Sequence, residues 1–409
     1  MDLITKDIDI SLVKNPYDFN LNDLVQVGER LNNPKRNFLF VSKVLGKHLS
    51  VKPNILKSIG YLLGNEIYPN NNFDISLIID YIKNPTDEDA IKKELKKYIE
   101  PVNDKPFVIG FAETATALGM SVASSIKDSY YITTTREKLP LKSFFDFEEA
   151  HSHATDHRCY LINKLKFIDS KTVILVDDEI TTGNTMINLI KELDKICSDK
   201  RYVVVSIMDS RNQEYIDKCN KFAKNHNIDL SFKSLISTKI KIKNNNIYSG
   251  DNEDIITTKT DNIKYLKGFN KVSYNSKKYT SVSGRFGVSF DDITGIEKTA
   301  KLIADKIRPS ISEKDKVLVL GHGEDIYIPS RVANYLSPKA MFKTTSRSPI
   351  YTKDIEGYPI KQRSSFNIDD VTYYLYNKDL LEKMYDKIFF ISEFDMKFKL
   401  LDKIQVINI

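Results

Sequence analysis

The sequence contains no tryptophan, only three cysteines and no long apolar run. The few cysteines argue against a disulfide-rich secreted protein, and the lack of a long apolar run argues against a membrane-spanning one. Cys159, Cys197 and Cys219 are odd in number and lack the spacing of a metal site, which favours a reducing compartment. No stretch approaches the length of a membrane span, and the N-terminus lacks the uninterrupted apolar stretch of a signal peptide. We therefore expect a cytoplasmic protein without a membrane partner.

A strong excess of one charge is also missing. The chain has 61 basic and 55 acidic residues, giving a net charge of +6. This balance does not demand a nucleic-acid partner, and an anionic substrate fits it as well. With 409 residues the chain is long enough for two domains with full cores, and no internal repeat is visible.

The most informative segment is residues 173–185. Four apolar residues, 173–176, predict a short buried strand of the kind found in parallel sheets. Asp177 and Asp178 follow the strand, and a turn rich in threonine leads into a helix with apolar residues at helical spacing. Free backbone N–H groups, hydroxyls and a positive helix end suit a phosphate monoester, while paired aspartates suit the hydroxyls of a ribose. The segment predicts a ribose 5-phosphate site, and the alternative is an ordinary buried strand with an acidic cap.

Residues 177–185 closely resemble the ribose-phosphate signature of type I phosphoribosyltransferases. The resemblance implies that Asp177 and Asp178 are catalytic, face the 2- and 3-hydroxyls of phosphoribosyl pyrophosphate (PRPP) and hold Mg²⁺ largely through water. The 5-phosphate would be bound by Thr181, Thr182, Gly183, Asn184 and Thr185. Two positions depart from common patterns. Glu179 stands where the family usually has an aliphatic residue. Thr181 stands where enzymes acting on 6-oxopurines usually carry an aspartate, and a threonine there resembles the orotate-type pattern.

A second strand-to-helix turn precedes this segment. Its small residues leave backbone N–H groups free to bind an anion, although small residues also serve the packing of a helix on a sheet. In type I enzymes the corresponding turn binds pyrophosphate. The resemblance assigns this role to Glu113, Thr114, Ala115 and Thr116.

Apolar runs alternate with helical patterns along most of the chain, which is typical of an α/β fold with a parallel sheet. In the first domain, residues 1–240, strands are predicted at 107–111, 130–135, 172–177, 202–208 and 230–236. Residues 1–105 are predicted to be largely helical and, by the resemblance, to form a hood.

Residues 241–280 predict a linker or a peripheral hairpin between two domains. A second α/β domain is predicted over residues 281–409. Its strands are expected near 316–320, 340–344, 372–376, 388–392 and 405–409.

The polar stretch 136–158 has no clear periodicity and predicts a long loop. It contains half of the six histidines of the chain. Three interpretations remain open, namely a solvated loop, a zinc site based on His-x-His, and a lid over the leaving pyrophosphate. The lid agrees with the mobile catalytic loop that type I enzymes carry at this point. It would make four residues of the stretch catalytic: Arg136, His151, His153 and His157.

Candidate acceptor-binding residues lie in two regions. Residues 33–48 mix apolar residues with cations, which fits either a core segment or a hood that recognises a base, and the candidates there are Lys43, Lys47 and His48. In the second domain, polar fragments follow predicted strands, where α/β folds place ligands. We expect two arginines to grip an anion in one pocket of that domain. The residues expected to converge there are Arg285, Glu324, Arg347 and Ser348.

The whole chain resembles the two-domain phosphoribosyltransferase–TRSP proteins of tellurite-resistance (Ter) gene clusters. The resemblance rests on residues 40–48, 110–116, 151–157, 177–185, 285–287 and 346–349, with Ser346 in place of a threonine in the last of these.

The resemblance implies a PRPP-dependent transferase that joins ribose 5-phosphate to, or removes it from, a nitrogenous small molecule. It also implies Mg²⁺ as cofactor and a role in the biosynthesis of a nucleoside-like metabolite, with a homodimer as one option for the assembly. The alternatives are a PRPP-sensing regulator that binds nucleic acid and a PRPP-independent hydrolase or lyase.

Overall fold

The structure is a computed structural model that describes residues 3–4, 7–33, 36–101, 103–147, 157–244, 246–250, 253–274 and 277–409. Two of the predicted lid residues, His151 and His153, lie outside the described residues. In the described part, no helix has both the length and the apolar character needed to cross a membrane.

The first part of the chain alternates strands and helices. Its strands are β1 Leu3–Ile4, β2 Ile8–Lys14, β3 Val25–Arg30, β4 Phe38–Ser42, β5 Phe107–Gly110, β6 Tyr130–Thr133, β7 Phe145–Phe147, β8 His157–Cys159, β9 Thr172–Ile180, β10 Arg201–Asp209 and β11 Asp229–Ile242. Its helices are α1 Leu21–Leu24, α2 Pro53–Ile67, α3 Ile75–Lys83, α4 Glu88–Glu94, α5 Thr116–Ser125, α6 Lys164–Ile168, α7 Asn184–Ile196 and α8 Gln213–His226.

In the described residues, the second part begins with five strands before its first helix. Its strands are β12 Glu253–Ile255, β13 Ile263–Tyr265, β14 Lys271–Tyr274, β15 Lys277–Thr280, β16 Val288–Ser289, β17 Val317–Gly321, β18 Met341–Thr344, β19 Ile350–Tyr351, β20 Arg363–Ile368, β21 Val371–Tyr376, β22 Lys387–Ser392 and β23 Ile404–Asn408. Its α-helices are α9 Phe290–Ile307, α10 Tyr327–Leu336 and α11 Lys378–Met384, and a 3₁₀ turn covers Arg308–Ser310.

The larger sheet has the strand order β1-β2-β11-β10-β9-β5-β6-β16. The five strands from β11 to β6 are parallel, with β9 in the middle. Helices cover both faces of such a sheet, which explains why residues 173–176 of β9 are apolar without alternation and fully buried. The predicted α/β fold with a parallel sheet is confirmed.

The second sheet has the order β13-β23-β22-β17-β18 and is parallel throughout. The five strands predicted from apolar runs after residue 281 are all present, within one or two residues of the predicted bounds. Residues 241–280 contain β12 to β15. Of these, β14 and β15 form a hairpin, while β12 and β13 each pair with a strand of the second part.

The first 105 residues contain more strand than predicted. Strand β2 pairs with β11, and β3 and β4 form an antiparallel pair to which β19 of the second part adds a third strand. Every residue of the short apolar strand β4 is buried, and a short apolar run cannot be assigned to helix or strand from its periodicity. The predicted loop 136–158 likewise contains β7, which pairs with β8.

A buried ion cluster joins the two parts of the chain. Glu297 on α9 accepts hydrogen bonds from Lys57 on α2 at 3.0 Å and from Arg331 on α10 at 2.8 Å, while the Tyr335 hydroxyl lies 2.8 Å from its second oxygen. Burial alone would raise the pKa of Glu297, but Arg331 and Lys57 lower that pKa from 4.5 to about 2. The carboxylate is therefore charged in the folded protein at neutral pH.

We predict that Glu297→Ala lowers the free energy of unfolding by roughly 3–5 kcal/mol, because the change leaves two buried cations without their partner. Urea unfolding at pH 7 measures the effect, and an unchanged m value would show that stability alone has changed. Asp305→Ala on the same helix is the matched control, because Asp305 forms only exposed ion pairs and its loss should change little.

The contribution of Glu297 should also depend on pH with a definite sign. Its pKa is lower in the folded than in the unfolded protein, so the stabilisation is present above about pH 4.5 and is lost as the pH falls toward 2.

If Glu297→Ala and Asp305→Ala lower the free energy of unfolding at pH 7 by the same amount, the ion cluster does not stabilise the protein.

Candidate active site

The ribose-phosphate segment lies at the carboxyl end of the central strand β9. The strand continues through the acidic residues to Ile180, three residues beyond the predicted end, because β10 pairs with it up to Asp209. Asp177 and Asp178 are half-buried, and the Asp178 N–H donates to Asp177 Oδ1 at 2.9 Å. Both aspartates thus lie at the edge of the sheet where parallel folds place ligands.

The turn that follows has the geometry of an anion site. Gly183 has φ of +76° and precedes the first residue of α7. A Cβ at this position would lie 2.7 Å from Cys219 Sγ, so both the backbone conformation and the packing require glycine. Thr181 is exposed, and Thr182 Oγ1 accepts a hydrogen bond from the Asn184 N–H at 3.2 Å. The positive end of a 13-residue helix therefore opens onto hydroxyls.

Glu179, which departs from the family pattern, has a partner in the N-terminal region. Arg36 Nη2 lies 2.9 Å from each Glu179 carboxylate oxygen, and the guanidinium group stacks over the Phe38 ring at 4.3 Å. The unusual glutamate therefore ties the N-terminal region to the ribose-phosphate segment. Sequence reasoning missed Arg36, although it belongs to the cation-bearing residues 33–48.

The predicted pyrophosphate turn follows β5, the neighbour of β9. Lys47 Nζ lies 3.3 Å from Glu113 Oε2 and donates to Thr114 Oγ1 at 2.7 Å and to Ser348 Oγ at 3.2 Å. The Arg347 N–H donates to Glu113 Oε1 at 3.2 Å, and Ser346 Oγ donates to its other oxygen at 3.3 Å. Residues from the N-terminal region, the first sheet and the second domain thus meet at one buried carboxylate.

A second carboxylate, Glu324, has a closely similar environment. It accepts hydrogen bonds from Thr135 Oγ1 at 2.7 Å and from the Arg136 N–H at 2.9 Å, and Arg285 Nε lies 3.6 Å away. The Glu324 carbonyl also accepts from Thr116 Oγ1 of the pyrophosphate turn at 2.9 Å. Burial raises the pKa of Glu324, while Arg285 opposes that rise.

The four residues expected to converge in the second domain have different surroundings. Arg285 is buried and bonds Glu393 at 2.5 Å, and three carboxylates, Glu393 first among them, raise its pKa against the effect of burial. Arg347 instead donates to the Tyr373 hydroxyl at 2.7 Å and lines a cavity of about 870 Å³. Ser348 contacts Lys47 and so lies beside the predicted pyrophosphate turn, residues 113–116.

The three candidates from residues 33–48 also differ in their surroundings. Lys47 contacts the pyrophosphate turn, whereas Lys43 Nζ donates to the Asn22 carbonyl at 2.5 Å. His48 is buried against Tyr376, and burial, together with Lys47 and Lys343, lowers its pKa well below 6.5. His48 is therefore neutral at physiological pH.

His157, predicted as part of a lid, is 1% exposed. Its Nδ1 lies 3.0 Å from Thr134 Oγ1, and its ring contacts Phe111 edge to face. Arg136 is exposed at the start of the same stretch. Among the described residues no group of three His, Cys, Asp or Glu side chains could hold a metal, and His151 and His153 lie outside those residues.

We predict that Lys47→Met destabilises the protein by about 3–5 kcal/mol, because it leaves the buried Glu113 without its cation. Lys43→Met is the matched control, because Lys43 bonds only a carbonyl in the described structure and lies closer to solvent. Urea unfolding compares the two variants, and similar stabilities would contradict the role assigned to Lys47.

Two family models match the chain. The family model described as phosphoribosyl transferase matches residues 24–239, more than half of the chain. A second model, described as the TRSP domain C-terminal to that domain, matches residues 282–406. No curated protein matches the chain.

Two solved structures are also similar. Adenine phosphoribosyltransferase from Leishmania donovani is 17% identical, with 53% of this chain and 78% of that chain covered and a TM-score of 0.31. Adenine phosphoribosyl transferase from Trypanosoma brucei, in complex with AMP, pyrophosphate and ribose-5-phosphate, is 13% identical, with 55% and 80% covered and a TM-score of 0.31. At these scores the two structures add nothing to the assignment, which rests on the family models. This chain belongs to the phosphoribosyl transferase family and carries the TRSP domain at its C-terminal end.

Proposed function

We propose that the protein transfers ribose 5-phosphate from PRPP to a nitrogenous small molecule and releases pyrophosphate. One observation carries the proposal: the two turns that were predicted to bind anions follow the neighbouring parallel strands β5 and β9. Both turns therefore lie at the same edge of the sheet, with Asp177 and Asp178 at the end of β9. Such an arrangement suits a ligand with phosphate groups on either side of a ribose.

In this proposal Asp177 and Asp178 bind the ribose hydroxyls, and residues 181–185 bind the 5-phosphate. Glu113, Thr114, Ala115 and Thr116 border the pyrophosphate. Mg²⁺ would be held by the two aspartates, partly through water, since carboxylate oxygens suit this ion and the described residues offer no larger cluster. When bound, the ion would neutralise charge on the pyrophosphate.

The reaction would break the bond between C1 and the pyrophosphate oxygen and form one between C1 and an acceptor nitrogen. Positive charge develops at C1 as pyrophosphate leaves, and the fixed carboxylates of the site would stabilise it. Thr181 supplies no carboxylate base, so most of the rate would come from positioning and charge stabilisation. Arg136, His151 and His153 are proposed to contact the leaving pyrophosphate from the loop 136–158.

The acceptor would bind near Lys47, between residues 33–48 and the second domain. The product would be a nucleoside-like metabolite, in keeping with the resemblance to Ter-cluster proteins. The free thiols of Cys159, Cys197 and Cys219 fit a protein of the cytoplasm.

We predict that Asp177→Asn combined with Asp178→Asn weakens PRPP binding in Mg²⁺ by more than about 1 kcal/mol, because a hydrogen bond to a charged group contributes roughly 1.5–3 kcal/mol. Isothermal titration calorimetry measures the affinity. Asp199→Asn is the control, because Asp199 precedes β10 at the opposite end of the sheet. Unchanged affinity in the double variant would refute the assignment of the ribose site.

A further inference from the structure

The two sheets repeat one order of elements. In the first, the sequence β5, α5, β6, the pair β7–β8, α6, β9, α7 and β10 contributes four parallel strands in the order β6-β5-β9-β10. In the second, the sequence β17, α10, β18, the short strand β19, the pair β20–β21, α11, β22 and β23 contributes four parallel strands in the order β18-β17-β22-β23, and the described residues between β22 and β23 contain no helix. The chain therefore contains a structural repeat, although no internal repeat is visible in its sequence.

The repeat divides the protein into two halves, one built around each parallel sheet, and the same motifs occur at equivalent places in both. Gly110 ends β5 and Gly321 ends β17. A glutamate follows three residues later in each half, Glu113 in the first and Glu324 in the second. After the second strand come Thr134-Thr135-Arg136 in one half and Thr345-Ser346-Arg347 in the other. The distance along the chain from the glutamate to the arginine is the same in both halves.

The contacts between the halves are reciprocal. Glu113 binds Ser346 Oγ and the Arg347 N–H, and Glu324 binds Thr135 Oγ1 and the Arg136 N–H.

Each glutamate also has a cation that follows a glycine with positive φ, Lys47 after Gly46 and Arg285 after Gly284. The carbonyls of these glycines accept from Thr344 and Thr133, which occupy equivalent places on the opposite halves. The halves are thus related by an approximate two-fold axis within one chain.

The 870 Å³ cavity lies where this relation puts the counterpart of the PRPP site. Its lining includes His322 after β17, Arg347 after β18 and Phe394 after β22. When β17 is matched with β5 so that Gly321 corresponds to Gly110, the registers of β22 and β9 make Ser392 correspond to Asp177 and Glu393 to Asp178. Arg136 of the first half, which is also proposed to contact the leaving pyrophosphate, lines the cavity as well, so the two sites would border each other at this residue.

The chemistry of this second site differs from that of the first. Glu393 is 2% exposed and is already bonded to Arg285 at 2.5 Å and to the Thr280 N–H at 2.7 Å. Residues 394–398 contain no glycine, and the described residues 393–403 contain no helix that could present its N-terminus to a phosphate. The cavity therefore lacks the glycine-containing turn and the helix N-terminus with which residues 181–185 would bind a 5-phosphate.

Charged and aromatic side chains line the cavity instead. Six cations and four carboxylates line the cavity. All four carboxylates are already paired, Glu137 and Glu393 with Arg285, Asp369 with Lys277 and Asp395 with Lys397. The hairpin β14–β15 contributes Lys278 and the ring of Tyr274, and Tyr373 and Phe394 add further rings. Cations beside aromatic faces suit an anion that carries a ring system.

We propose that this cavity is a second ligand-binding site, specific for a phosphorylated ring compound of nucleoside monophosphate size and distinct from the PRPP site. Its volume of about 870 Å³ falls within the range of small-molecule sites. The site does not require PRPP binding in the first half. It does contact that half, because Arg347 bonds Tyr373 with its side chain and Glu113 with its backbone N–H.

The test is calorimetric titration with AMP, GMP, CMP and UMP. It is done in the Asp177→Asn/Asp178→Asn background, so that the ribose site is weakened. We expect at least one nucleotide to bind, and adding Tyr274→Ala with Lys278→Ala should weaken that binding about tenfold or more, since a charged hydrogen bond and a stacked ring are lost. Lys278→Ala alone, at an exposed residue, should give a smaller loss in a protein that folds normally.

Tyr98→Ala with Lys127→Ala is the matched control, because this exposed pair also joins a ring and an amine and lines neither site. The proposal is overturned if none of the four nucleotides binds, or if the cavity substitutions leave binding unchanged. PRPP binding by the unaltered protein is measured separately, so a failure here is distinguishable from a failure of the proposed transferase function.

Discussion

Two buried carboxylates, Glu113 and Glu324, hold the two sheets of this protein against each other. Each accepts hydrogen bonds from a hydroxyl and a backbone N–H of the opposite half, and each has a cation from its own half nearby. A carboxylate removed from water is costly unless it is paired and fully hydrogen-bonded. The halves therefore have one well-defined arrangement, in which donors from both sides meet the two glutamates.

This constraint determines the shape of the candidate active site. Glu113 belongs to the turn proposed to border pyrophosphate, so the second domain fixes that turn through Ser346 and Arg347. Thr116 of the same turn bonds the Glu324 carbonyl of the second domain. The TRSP domain is thus a structural part of the candidate active site and also lines a separate cavity. Arg36, which binds Glu179, fixes the ribose segment from the N-terminal side in a comparable way.

The features that could be predicted from sequence are those with a local pattern. A buried parallel strand is a continuous apolar run, so β9, β17 and β22 could be identified, and the turn after β9 has a distinctive composition. The contacts that complete the site have no local pattern. Arg36 and Glu179 are 143 residues apart, and Glu113 and Arg347 are 234 apart. The repeat is equally hidden, because its common residues are few and widely spaced. The roles assigned to individual site residues remain predictions.

The central claim is that this chain turns over PRPP, and pyrophosphate release tests it most directly. The protein is incubated with PRPP, Mg²⁺ and a pool of small cell metabolites, and pyrophosphate is assayed beside mass spectrometry of the mixture. The account predicts pyrophosphate release that depends on the metabolite pool, together with a new ribosylated compound in equal amount. PRPP binding without release of pyrophosphate for any metabolite fraction would contradict it and would favour a PRPP-sensing regulator.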